Sequence, residues 1–117
     1  MGPITLIVEF AIKPGCADAF EEVSLRARGL VAQHETGALR YDWWLTEDRK
    51  RGINIEIFRD SHALAEHMAD VDVVTADLVA NADVLRVEVL GKLTDEGHAA
   101  IDAAATGHFR LLGGIPA

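Results

Sequence analysis

The chain has 117 residues, half of them hydrophobic, with a formal net charge of −8 and one cysteine, Cys16. That length suits a single domain with its own core. The acidity argues against nucleic acid or an anionic membrane as partner, the lone cysteine excludes an internal disulfide, and no apolar run is long enough to cross a bilayer.

The first expected strand is Ile4 to Ile12, where Ile4, Leu6, Val8, Phe10 and Ile12 alternate with Thr5, Ile7, Glu9 and Ala11. Lys13-Pro14-Gly15 ends it. A helix is expected from about Ala17 to Gln33, its buried stripe formed by Phe20, Val23, Ala27, Leu30 and Val31. Gly37 is placed to close its exit. A second strand follows from Ala38, with Leu39, Tyr41, Trp43 and Leu45 on one face and Arg40, Asp42, Trp44 and Thr46 on the other. The charged run EDRKRG reads as a turn. A third strand, INIEIF, sets Ile53, Ile55 and Ile57 against Asn54, Glu56 and Phe58.

Asp60 or Ser61 caps the next helix, which runs to about Ala69 and groups Leu64, His67, Met68 and Val71. A further helical piece from Asp72 to Asn81 offers Val74 and Leu78 to the core. A fourth strand spans Val84 to Leu90, with Leu85, Val87 and Val89 facing one way and Arg86 and Glu88 the other. Thr94 caps a short alanine-rich helix, and His108 to Leu112 reads as a last short strand.

This order predicts an α+β, ferredoxin-like β-α-β-β-α-β domain: a four-stranded antiparallel sheet with helices on one face. The core covers about residues 4–91, and residues 92–117 form an appendage of one helix and one short strand. The uncovered sheet face is expected to carry Arg40, Asp42, Trp44, Asn54, Glu56, Phe58, Arg86 and Glu88. Aromatics mixed with paired charges suit an interface, so a homodimer joined through this face is expected. The chain carries no basic-then-apolar leader at its start, and a cytoplasmic location is the corresponding expectation.

The pieces LIVEFAIKPG, ETGALRYDWWLTED, INIEIFRDSHALAEHM and VEVLG, in this order and spacing, resemble the antibiotic biosynthesis monooxygenase (ABM) domain proteins of the dimeric α+β barrel superfamily. The resemblance covers about Thr5 to Gly91. It implies a dimeric barrel with a pocket in each subunit between sheet and helices. Some members oxygenate quinols or aromatic polyketides without metal or flavin, and others degrade haem. The haem-degrading members carry an Asn on the first strand and a Trp just before the second helix. Val8 and Phe58 stand at those places here, a departure that counts against haem.

The helix-side face would set Tyr41 and Trp43 opposite His67 and Met68, giving an apolar cavity with one titratable imidazole. An imidazole is a suitable base near neutral pH. Tyr and Trp can position an aromatic substrate by stacking and by one hydrogen bond each. The candidate roles are therefore His67 as base or hydrogen-bond acceptor, Tyr41 and Trp43 as positioning groups, and Met68 as lining. The competing reading makes His67 a hydrogen-bonded core residue and Tyr41 and Trp43 ordinary packing. His34, His62 and His98 are expected at the surface, with His108 left open.

No cysteine pair, His-x-His or Glu-x-x-His spacing is present. His62 and His67 are five apart, a poor spacing for two ligands on one helix face. No metal and no cofactor are expected. Three function classes fit these residues: a cofactor-independent monooxygenase acting on a small aromatic quinol or polyketide-like substrate, a non-oxidative cyclase or isomerase, and a dimeric ligand-binding or structural protein.

Overall fold

The computed structural model describes residues 2–116, so the terminal residues of the expected domain, Met1 and Ala117, lie outside it. The elements are β1 (Ile4–Ile12), α1 (Ala17–His34), β2 (Ala38–Leu45), β3 (Arg51–Phe58), α2 (Ser61–Asp70), α3 (Asp72–Asn81), β4 (Ala82–Leu90), α4 (Asp95–Ile101) and β5 (Gly107–Phe109). One sheet runs in the order β2-β3-β1-β4-β5. Its first four strands pair antiparallel, as expected of the ferredoxin-like order. The short fifth strand joins the β4 edge in parallel, with α4 making the crossover.

α1 and α2 form where one stripe of the sequence is apolar. α1 buries Phe20, Val23, Ser24, Ala27 and Val31. α2 starts at Asp60, whose carboxylate accepts a hydrogen bond from the Ala63 N–H at 2.9 Å. It buries Ser61, Ala63, Leu64 and His67, and Leu64 to His67 is the three-residue step that keeps both on one face. α4 is capped by Thr94, as its sequence predicts. Its Gly97 lies so close to Ser61 that an added Cβ would sit 2.7 Å from the hydroxyl, which fixes α4 against α2.

The core falls into three clusters. One joins Ile4, Leu6, Phe58, Leu64, Val89 and Ile101 between the sheet and α2/α4. A second joins Phe10, Ile12, Phe20 and Ala82, and a third joins Val23, Ala27 and Val74 between α1 and α3. Burial of a side chain such as Phe58 or Leu64 stabilises by about 2 kcal/mol.

The structure corrects the sequence reading at four places. Asn54, Glu56 and Phe58 do not lie on the open face: they are buried on the helix side at 2%, 5% and 0% exposure. Register requires it, because Glu56 pairs with both Leu6 and Tyr41, and Asn54 with both Val8 and Trp43. Directly paired residues share a face, so the isoleucines of β3 point outward instead. Leu39 falls at a register shift between Ala38 and Arg40 and is exposed. Leu85 is likewise displaced by a shift where Arg86 pairs with Glu9 but Val84 with Phe10, and it points to solvent. Gly37 does not cap α1. Glu35 does, its N–H bonding to the Val31 carbonyl, while a Cβ at Gly37 would lie 2.4 Å from that of Ala63.

The outer sheet face therefore carries Ile7, Ile53, Ile55 and Ile57, all half-buried, with Trp44 at 56% exposure. Charged pairs surround them: Glu9 with Arg51 and Arg86, and Arg40 with Asp42. Among the described residues, no helix is long and apolar enough to cross a membrane.

Candidate active site

A cavity of about 400 Å³ lies between the sheet and the helices, where the three core clusters meet. Apolar side chains from β1, α1, α3 and β4 make most of its wall, among them Leu6, Val8, Phe10, Val23, Val74 and Val87. Tyr41, Trp43, Asn54, Glu56, His67 and Met68 also line it. Thr75, Val79, Val84, Ala104 and Thr106 line it while remaining exposed, so they mark its mouth. Tyr41, Trp43, His67 and Met68, which the sequence pattern groups on the helix side of the sheet, all come together here.

His67 is held from both sides. Its Nδ1 lies 3.1 and 3.0 Å from the two carboxylate oxygens of Glu35. Its Nε2 lies 3.0 Å from Glu56 Oε1. All three side chains are buried, at 3% exposure for His67, 2% for Glu35 and 6% for Glu56. Three elements supply them: the last turn of α2, the residue that ends α1, and the middle of β3. Tyr41 packs edge-on to the imidazole at 5.1 Å between ring centroids, and Phe58 lies tilted against it at 4.8 Å.

This arrangement sets the protonation state. Burial works against a charge on His67, but the hydrogen bond to Glu35 and the negative charges of Glu35 and Glu56 beside it outweigh it, and the pKa is pushed up to about 9. His67 is thus an imidazolium at neutral pH. Burial, then the charge of Glu56, holds the Tyr41 phenol well above its usual range, so it stays a neutral donor.

Two buried polar atoms lack a hydrogen-bond partner among the described residues: Trp43 Nε1 and Glu56 Oε1. Glu56 Oε1 is close to His67 Nε2 but is not a well-aligned acceptor of its N–H. Both residues line the cavity. A donor and an acceptor left open on one wall suit a ligand carrying the complementary groups. Asn54, by contrast, is satisfied through Nδ2 donating to the Asp42 carbonyl at 3.0 Å.

Glu35 and Glu56 escaped the sequence reading for different reasons. The isoleucines of β3 imply the open face for Glu56, which lies instead on the buried one. Glu35 sits 32 residues from His67, and nothing local connects the two.

The donor set does not suit a haem. Both nitrogens of His67 face carboxylates, and His62 is 65% exposed with its own nitrogens against Glu66 and Glu96. Neither presents a free axial nitrogen to the cavity.

The family model for antibiotic biosynthesis monooxygenase matches residues 3–76. A search of curated proteins found no match. Among solved structures, MupZ from Pseudomonas fluorescens superposes with a TM-score of 0.87 at 18% identity, covering 100% of this chain and 96% of that one. SnoaB, a cofactor-independent oxygenase from Streptomyces nogalater, gives 0.68 at 18% identity, covering 80% and 96%. A conserved protein from Methanosarcina mazei gives 0.65 at 16% identity, covering 76% and 89%. At these identities the likeness is one of fold. The family match spans more than half of the chain, and the protein belongs to the antibiotic biosynthesis monooxygenase family.

Proposed function

We propose that the protein is a cofactor-independent monooxygenase acting on a small aromatic quinol or polyketide-like substrate. The observation that carries the reading is a buried acid–base unit, Glu35–His67–Glu56, opening onto an apolar cavity with unpaired polar atoms. The family and the fold shared with SnoaB, an oxygenase named as cofactor-independent, support it.

A phenol or anthrone supplies its own electrons to oxygen. Its C–H carbon becomes a carbonyl, one oxygen atom entering the product and the other leaving as water with the two hydrogens lost. The protein's task is to bind the ring, take a proton and keep water from the anion. His67 is already protonated at neutral pH, so the proton goes to the Glu56 carboxylate beside it on the cavity wall. The positive charge of the imidazolium beside Glu56 stabilises the developing anion, and the proton held on Glu56 passes to the oxygen that leaves as water. Trp43 Nε1 and the Tyr41 hydroxyl position the substrate oxygen, and Met68 fills the wall beside the ring.

The isoleucine and Trp44 face, ringed by Arg40, Asp42, Arg86 and Glu88, is the surface through which two copies pair. Ile55→Asp should convert a dimer to a monomer in sedimentation velocity.

The activity test is oxygen uptake by the metal-free protein with a panel of phenols, quinols and anthrones, followed with product mass. Uptake above the autoxidation blank, with one oxygen gained and two hydrogens lost, is expected, and it should disappear in Glu56→Gln and His67→Gln. Uptake equal to the blank with every substrate, while the same compounds bind the cavity, would contradict the oxygenase reading.

A further inference from the structure

A second group of histidine and carboxylate side chains lies outside the cavity, at the joint between α4 and β5. His98 and Asp102 are one turn apart at the end of α4, and His108 comes from β5. His98 Nδ1 lies 3.0 Å from the Asp102 carboxylate, and His108 Nε2 lies 3.3 Å from Asp102 Oδ1. One ligand atom from each of the three falls within 4.8 Å of the others. The two rings are 5.6 Å apart between centroids.

A Zn²⁺ ion with bonds of about 2.0–2.1 Å places tetrahedral ligand atoms roughly 3.4 Å apart. The three atoms need only small side-chain rotations to reach that spacing. Two imidazoles and a carboxylate are ligands for Zn²⁺ and its neighbours Co²⁺, Ni²⁺ and Cu²⁺, whereas Ca²⁺ and Mg²⁺ call for oxygen ligands. Three protein ligands leave a fourth position for water. The arrangement around His62 looks similar in composition but differs in geometry. There, Glu66 and Glu96 meet opposite nitrogens of one ring, so one ion cannot join all three. At the α4–β5 joint, one carboxylate receives a nitrogen from each of two rings.

The position gives the cluster a consequence. Asp102 and His108 flank Ala104 and Thr106, which line the cavity mouth, and Ile101 lines its wall. Thr106 is already tied to β4, its N–H donating to the Val87 carbonyl at 2.8 Å. We propose that His98, Asp102 and His108 bind one divalent transition-metal ion of the Zn²⁺ class, which staples α4 to β5 and fixes one rim of the cavity mouth.

The test is calorimetric titration of Zn²⁺ into untagged, chelator-stripped full-length protein, with thermal melts in the presence and absence of Zn²⁺. One ion per chain and a raised Tm are expected. His98→Ala and His108→Ala should each weaken binding at least tenfold and abolish the rise in Tm, while His62→Ala leaves both unchanged. All three substitutions are at exposed positions and should leave the metal-free fold intact. The proposal is overturned if there is no uptake, if binding is equally strong in His98→Ala and His108→Ala, or if binding occurs without any rise in Tm. None of these readouts depends on oxygenase activity.

Discussion

Two histidine–carboxylate centres in this molecule share residue types and differ in burial. Glu35–His67–Glu56 is buried between sheet and helices, and His98–Asp102–His108 is about half exposed at the end of the sheet. In the interior, each charge depends on its partners, because water cannot replace them. At the surface, water and salt screen the same contacts, and the group gains value only if something binds it together. The buried centre therefore governs stability and protonation, and the exposed one is free to take up a ligand.

The largest expected effect follows from removing the cation of the buried centre. His67→Ala leaves two buried carboxylates facing each other without it, and should destabilise the fold by roughly 3–5 kcal/mol in urea denaturation at pH 7. A loss below 1 kcal/mol would mean the three groups do not act as a unit.

The pH dependence is the next largest effect. His67 has a raised pKa in the folded state, so its contribution is complete below the unfolded value near 6.5 and is lost as pH rises through about 9. Stability should fall by roughly 3 kcal/mol across that window. In His67→Gln this component of the slope should be absent, which denaturation at four or five pH values will show.

The smallest effect sharpens the contrast. In chelator-containing buffer, His98→Ala should change stability by no more than about 0.5 kcal/mol, as surface substitutions do. A change of several kcal/mol would remove the distinction between the two centres.

The sequence made the element order legible because each element carries its own period. It also placed Tyr41, Trp43, His67 and Met68 on the cavity side, because β2 and α2 each show one clear face. β3 was different. An alternating strand states that two faces exist without saying which is inside, and three isoleucines pointed to the wrong answer. Burying Glu56 is tolerable only because His67 stands 3.0 Å away, a fact that belongs to the tertiary structure. The Glu35–His67 contact and the parallel pairing of β5 with β4 are likewise set by chain segments that meet only on folding. The His98–Asp102 spacing of one helical turn was visible in the sequence, but His108 completes the group only through β5.

The most direct test of the buried centre is NMR of the His67 ring nitrogens in ¹⁵N-histidine-labelled protein, titrated from pH 6 to 10. An imidazolium at pH 7, with both nitrogens protonated and a midpoint near 9, is the expected result. A neutral single tautomer at pH 7, titrating at or below 6.5, would contradict the carboxylate–imidazolium–carboxylate centre on which the mechanism rests.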